Sequence, residues 1–338
     1  MKAVVIQEPR RTGLLSIDPP QPGPGEVLLR VRRVGLCGSD LNTFRGLNPL
    51  VRYPRIPGHE IAATIEALGA GVPATWRAGQ TVTLNPYTAC GACSSCRAGR
   101  ANACRENQTL GVQRDGALSE FACVPHGKLL AHAGLGLDEL ALVEPFSVGF
   151  HAAARGRVAA GETVLVLGCG TIGLGAIAAC ALRGARVLAV DLDPRKRALA
   201  AELGAAEGFD AGAGLEAAVR ERTGGHGPAA VIEAVGAPQT YRQAVELAAF
   251  AGRVVYIGYA KAEVAYETKH FVAKELDILG SRNALGEFDE VLAAFAARRF
   301  DPLKLVTHRV SLDEAGDALR DWANDPNPVT KILVEVGA

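Results

Sequence analysis

Two groups of side chains in this sequence have the type and spacing to hold metal ions. The first is the run CGACSSCRAGRANAC at 90–104, which places Cys90, Cys93, Cys96 and Cys104 within fifteen residues. Such a cluster can form a disulfide knot, an iron–sulfur centre or a structural metal site. Bacterial-type iron–sulfur runs follow C-x2-C-x2-C-x3-C with proline next. Here seven residues separate Cys96 from Cys104, and Arg105 follows. Disulfides belong to oxidising compartments. The N-terminus, MKAVVIQEPR, reaches Glu8 and Pro9 before a secretory core could form. Zinc is therefore favoured, and four thiolates make a closed tetrahedral site suited to structure rather than to catalysis. The second group is dispersed: VGLCGSD at 34–40, PGHE at 57–60 and VEPFSVGFHA at 143–152. Each sets a metal-capable side chain beside glycine or proline at the end of an apolar run, where loops present ligands. Cys37, His59 and a carboxylate would give three ligands and leave a fourth position for water or substrate, as catalytic zinc requires. Taken singly, a Cys37 is more often a small core residue and a His59 more often a satisfied structural one.

A third element, GETVLVLGCGTIGLGAIAACALRGARVLAVDLDPRKR at 161–197, has the order of a dinucleotide-binding turn. TVLVL reads as a buried strand, and Gly168, Gly170 and Gly173 supply G-x-G-x-x-G. The strand RVLAV follows and meets Asp191, twenty-three residues after Gly168. The glycines allow a tight turn, close approach of a pyrophosphate and packing of helix on strand, and the helix N-terminus attracts the phosphate charge. A terminal acid in this position binds ribose hydroxyls and repels a 2′-phosphate, which predicts NAD over NADP; Arg195 and Arg197 nearby work against that preference. The candidate cofactor contacts are Gly168, Gly170, Thr171, Ile172, Gly173, Asp191 and Arg195, with Val235, Gly258 and Ser281 from the later strand segments.

Those segments are AAVIEAVG at 229–236, RVVYIGY at 253–259 and LDILGSR at 276–282, alternating with helical stretches such as LEAAVRERTG and TYRQAVELAAFAG. Strand–helix alternation predicts a parallel, doubly wound α/β sheet over 151–284. The remainder, 1–150 with 285–338, is expected to form a second domain rich in short strands, with the cysteine lobe at 88–106. Two domains suit a chain of 338 residues. The composition is 49% hydrophobic and 21% charged with a formal net charge of zero. It offers no basic face for nucleic acid or for an anionic membrane, and no window approaches eighteen uninterrupted apolar residues. A cytoplasmic protein that binds a small molecule is expected.

Together these residues resemble the zinc-dependent medium-chain dehydrogenases (the alcohol dehydrogenase superfamily), over essentially the whole chain and in the same order. EPFSVGFHA is similar to the polyol (sorbitol) dehydrogenase branch, which has glutamate where classical alcohol dehydrogenases have cysteine. RYPRIPGHE, GVQRDGALSEFACVP, GSRNA and VTHR are similar to the L-galactonate, L-gulonate and L-idonate 5-dehydrogenases and, more distantly, to threonine 3-dehydrogenases. The resemblance implies a GroES-like, β-rich catalytic domain beside a Rossmann domain, two zinc ions per chain, NAD as cofactor, and a homodimer or homotetramer. It assigns Cys37, His59 and Glu144 to catalytic zinc, with Glu60 as an alternative or alternating ligand. Asp40 would orient the histidine, Ser39 would take the substrate proton, and Arg282 would line the substrate cleft, where its planar fork suits a carboxylate or several hydroxyls. The implied reaction oxidises a secondary hydroxyl of a polyol or aldonate, the hydride passing to nicotinamide. Threonine-type amino-alcohol oxidation, or a non-catalytic NAD-binding scaffold, are the competing functions. Three positions depart from the family pattern: Asn42 replaces a histidine of the proton path, Ala63 a glycine and Gln80 an aspartate.

Overall fold

The computed structural model describes residues 1–337 and divides into two compact units. The first comprises Met1–Glu144, Phe295–Ala297 and the residues from Pro302 onward; the second comprises Pro145–Ala294 and Arg298–Asp301.

In the first unit, β1 (Lys2–Glu8) and β2 (Arg11–Ser16) form a hairpin. The strand β3 (Glu26–Leu36) leads into α1 (Gly38–Phe44). There follow β4 (Glu60–Leu68), β5 (Thr81–Leu84), the single turn α2 (Ser94–Arg97), β6 (Phe121–Pro125), β7 (Leu129–Leu130) and α3 (Leu137–Ala141). The helix α4 (Val143–Arg155) crosses the division between units. The boundary expected at 150 thus falls inside a continuous helix with no linker composition to mark it.

The second unit holds β8 (Thr163–Leu167), α5 (Thr171–Leu182), β9 (Arg186–Val190), α6 (Pro194–Glu202), β10 (Ala205–Phe209), α7 (Leu215–Arg222), β11 (Ala230–Glu233), α8 (Pro238–Leu247), β12 (Arg253–Tyr256), α9 (Lys269–Ala273), β13 (Asp277–Gly280) and all but the last two residues of α10 (Phe288–Ala296). Residues 285–294, expected with the first domain, group with this unit, where Glu287 just ahead of α10 accepts a 2.8 Å hydrogen bond from His151 of α4. The chain then returns to the first unit through β14 (Val306–Ser311), α11 (Ala315–Asn324) and β15 (Lys331–Glu335).

The six strands of the second unit are all parallel, in the order β10-β9-β8-β11-β12-β13. From β8 the chain winds outward first through β9 and β10, then the other way from β11. That reversal opens a crevice at the carboxyl ends of β8 and β11, where doubly wound sheets bind ligands. Buried on both faces, TVLVL and RVLAV read as continuous apolar runs.

In the first unit's seven-stranded sheet, β3 is the hub: it pairs antiparallel with β4, β6 and β15. Its residues Val27, Leu29, Val31, Val34 and Leu36 fill the core. The register sets Gly35 opposite Glu60 and Leu36 opposite Ile332. The end of β3, the start of β4 and the start of β15 therefore meet at one edge, which brings together Cys37, Glu60 and Lys331. A Cβ on Gly35 would lie 2.0 Å from Glu60 Oε2, so glycine there makes room for a buried carboxylate.

Candidate metal and dinucleotide sites

At that edge the ligand atoms of Cys37, His59 and Glu60 lie within 4.8 Å of one another. Cys37 sits at the N-cap of α1, and Asp40, three residues on, closes the turn by accepting from Cys37 N at 2.9 Å through Oδ2. Asp40 Oδ1 accepts from Gly58 N at 3.2 Å, so one carboxylate ties the helix to the loop that presents His59. The separation between Asp40 Oδ1 and His59 Nδ1 is 3.8 Å, too long for a hydrogen bond. Asp40 therefore reaches His59 through the backbone of Gly58 and through its charge, with no direct hydrogen bond between the two side chains. Ser39 Oγ and His59 Nδ1 are both buried and lack hydrogen-bond partners among the described residues.

Each of the two flanking glutamates has its own tether. Glu60 receives Lys331 Nζ at 2.7 and 2.6 Å on its two oxygens, and the same ammonium donates to Leu36 O at 3.1 Å. Glu144, in the first turn of α4, accepts from the Tyr87 hydroxyl. Asp40, Glu60 and Glu144 are all buried, and so is Lys331. Burial raises the carboxyl pKa values of Asp40 and Glu144, with the positive potential of His59 opposing it. Burial acts to discharge His59, yet Asp40, Cys37 and Glu144 outweigh it and hold the imidazole well above its usual range. Three buried carboxylates and a thiol thus face one ammonium and one imidazole, and a divalent cation compensates that excess of negative charge. Residue types and charge both fit zinc.

The four lobe cysteines form a second such group, their sulfurs also within 4.8 Å of one another. Cys93 Sγ lies 3.5 Å from Cys96 Sγ and 3.9 Å from Cys104 Sγ, well beyond a disulfide bond. Cys90 N points at Cys104 Sγ and Cys93 N at Cys90 Sγ, both at 3.3 Å. The Ser95 hydroxyl and backbone N–H donors lower Cys93 to about 5, while burial and the neighbouring thiols push Cys96 up to about 12. One thiolate forms readily and makes the next harder to form. A cation removes that conflict.

In the second unit, Gly168 adopts φ +96°, and a Cβ on Gly173 would lie 1.8 Å from Gly168 O, so the turn tolerates no side chain there. Gly170 faces open space, and as the N-cap of α5 it leaves the first N–H groups without a side-chain cap. Thr171 and Ile172 open that helix. Asp191 accepts from Cys169 N at 2.8 Å and from Asp193 N at 2.9 Å, which fixes its carboxylate beside the turn. Val235 is half-exposed just past β11, and Gly258 follows β12 with Gly236 N only 2.3 Å from where its Cβ would stand. Ser281, just past β13, is buried with an unpartnered hydroxyl. Arg282 follows it, half-buried. An uncapped helix terminus, a side-chain-free turn and an orphaned hydroxyl along the carboxyl edge of the sheet fit a dinucleotide.

Residues 23–133 match the alcohol dehydrogenase GroES-like domain and residues 171–297 the zinc-binding dehydrogenase domain. The L-galactonate-5-dehydrogenase of Escherichia coli K12 is 36% identical over 317 residues, covering 91% of both chains. This chain belongs to the zinc-dependent medium-chain dehydrogenases. Sorbitol dehydrogenase of Bacillus subtilis is 31% identical, covering 99% of this dehydrogenase and 97% of its own length. A solved alcohol dehydrogenase from Escherichia coli CFT073, in complex with NADH, superposes with a TM-score of 0.92 at 30% identity over 99% of both chains.

Four residues that hold these sites of the medium-chain dehydrogenase together carry weaker marks in its sequence. Lys331 heads a strand whose first four residues are all buried, and a lysine in such a company signals a buried acid partner. Tyr87, in NPYTAC, carries no comparable mark. Glu233 ends β11 with Oε1 accepting from Val235 N, Gly236 N and Thr240 Oγ1 at 2.9, 2.8 and 2.7 Å; a glutamate closing an apolar strand before glycine was the available signal. Asp193 precedes proline as the N-cap of α6, a pattern legible in DLDP. Of the arginines between Cys37 and His59, Arg55 donates to Asp115 at 2.8 Å and Arg45 to Ala323 O at 2.7 Å.

Proposed function

We propose that this medium-chain dehydrogenase oxidises a secondary hydroxyl of a polyol or sugar acid, with NAD as acceptor and two zinc ions per chain. The observation that carries the reading is the meeting of Cys37, His59 and Glu60 within 4.8 Å, beside the unpartnered hydroxyl of Ser39. Cys37 and His59 with Glu144 or Glu60 would hold the catalytic zinc, and Cys90, Cys93, Cys96 and Cys104 the structural one. When bound, zinc supplies Lewis acidity toward a substrate hydroxyl and NAD supplies the hydride acceptor.

The chain's own residues divide the remaining work. Ser39 Oγ, with no competing partner, is free to accept the proton of a substrate hydroxyl. Asn42, one turn further along α1, can pass a hydrogen bond but cannot hold a proton as an imidazole would. Lys331 holds Glu60 in place, and Tyr87 aims Glu144. Arg282 is the group for a substrate carboxylate or for several hydroxyls. The similarity to the L-galactonate and sorbitol enzymes supports the substrate class. The free thiols suit the cytoplasm, and the resemblance supports an assembly of two or four copies.

The test is NADH formation by the zinc-replete enzyme against a panel of polyols, aldonates and L-threonine, with NADP in parallel and zinc counted by metal analysis. Turnover of aldonates or polyols is expected. L-threonine as the only substrate would move the reading to amino-alcohol oxidation. Silence throughout, with a single zinc per chain, would make the protein an NAD-binding scaffold.

A further inference from the structure

An NAD-linked enzyme must keep NADP out, and two arginines stand where a 2′-phosphate would be received. Arg197 is committed: its Nη1 donates to Asp191 O at 2.6 Å, Leu192 O at 3.1 Å and Asp210 Oδ2 at 3.2 Å. Arg195 is exposed, with 69% of its side chain accessible, yet its binding edge is occupied. Nε lies 3.1 and 3.2 Å from the two oxygens of Asp193, and Nη2 lies 2.7 Å from Oδ2. This is the same fork that a phosphate would engage. Asp193 itself cannot drift, because Oδ1 also accepts from Arg195 N at 2.8 Å as the N-cap of α6. The carboxyl, drawn down to about 2 by Arg195, stays charged at any working pH. Asp191, held two residues away, adds a second negative charge.

We infer that Asp193 determines cofactor specificity by occupying the guanidinium fork of Arg195, so that a 2′-phosphate meets two carboxylates and an arginine already paired. The inference rests on the NAD reading above and deepens it. It assigns to Asp193 a positioning role exerted through Arg195, separate from the ribose contact of Asp191.

The test uses the full-length enzyme and needs no alcohol substrate: dissociation constants for NADH and NADPH by the fluorescence of the bound reduced nicotinamide. Asp193→Asn keeps the helix cap, since asparagine caps as well as aspartate, and removes the charge. NADPH affinity is expected to rise roughly tenfold relative to NADH, the gain to shrink at high salt, and the double variant D193N/R195A to lose it. Asp193→Ser, another capping residue without charge, should behave as Asp193→Asn does. Wild type binding NADH preferentially with an unchanged ratio in both single variants would overturn the inference and leave the NAD reading standing. A gain that survives R195A would overturn the role of Arg195. Wild type preferring NADPH would overturn the inference and the NAD reading together.

Discussion

Lys331→Met tests how the first unit holds its charges. The ammonium lies 2.6 and 2.7 Å from the Glu60 oxygens, and the two side chains are 2% and 0% exposed. Removing one member of such a pair leaves the other charge buried without compensation, a loss of about 3–5 kcal/mol. For a unit of this size each kcal/mol lowers the midpoint by about 2–4 °C, so a fall on the order of 6–20 °C is expected. Calorimetry on the EDTA-treated enzyme measures it. The double variant K331M/E60Q should recover most of the loss, because a neutral pair leaves no charge stranded. Zinc should stabilise K331M by more than it stabilises wild type, the cation replacing the missing ammonium. The alkaline limb gives a further check. Burial lowers the Lys331 pKa, but Glu60 and Cys37 outweigh it and raise it, so its stabilisation is complete below the unfolded lysine value of ~10.4 and is lost only above that. K331M should lack that loss. A midpoint within about 2 °C of wild type, or a double variant no more stable than the single, would refute the argument.

Three further outcomes follow from the geometry. Cys104→Ser should cost one zinc per chain and open 88–106 to protease, while NADH still binds, because the cluster and the dinucleotide turn belong to different units. Gly173→Ala should abolish NADH binding with zinc content unchanged, since its Cβ would fall 1.8 Å from Gly168 O; retained NADH affinity would mean the turn is not the pyrophosphate site. Glu287 is pushed up by burial but drawn down further, to about 2, by His151 and the N–H groups of Leu285 and Gly286. Its stabilisation, on the order of 2 kcal/mol after solvent screening, is present above the unfolded glutamate value of ~4.3 and is lost as pH falls toward 2. Acid titration of Glu287→Gln should give a shallower limb than wild type.

What could be read from the sequence was local. The glycine turn, the cysteine spacing and the buried strands β8 and β9 depend on neighbours in the chain, and the pattern displays them. The strand β10 escaped because AAEGF, at the sheet edge, buries little and has neither alternation nor an apolar run. Lys331 escaped for another reason: its partner is Glu60, 271 residues away, and the two meet only through the pairing of β15 and β4 with β3. Asp193 escaped because a capping aspartate two residues before an arginine is ordinary in isolation. Its meaning depends on where β9 ends.

The same distinction bears on which carboxylate serves the catalytic metal, which composition cannot decide. Glu60 lies among the ligand atoms of Cys37 and His59, but both its oxygens are engaged by an ammonium. Glu144 is engaged by a neutral hydroxyl through one oxygen. The Lys331 ammonium touches Glu60 directly and acts on Glu144 only from a distance, so its repulsion of a cation is stronger at Glu60. On that ground we propose Glu144 as the carboxylate that would hold the catalytic zinc, with Glu60 kept by Lys331 as a neighbouring charge. Gly35 fits this arrangement, for it gives the Glu60 carboxylate a space that any side chain would close. A lysine at 331 and a glycine at 35 then serve one purpose from opposite sides of one glutamate.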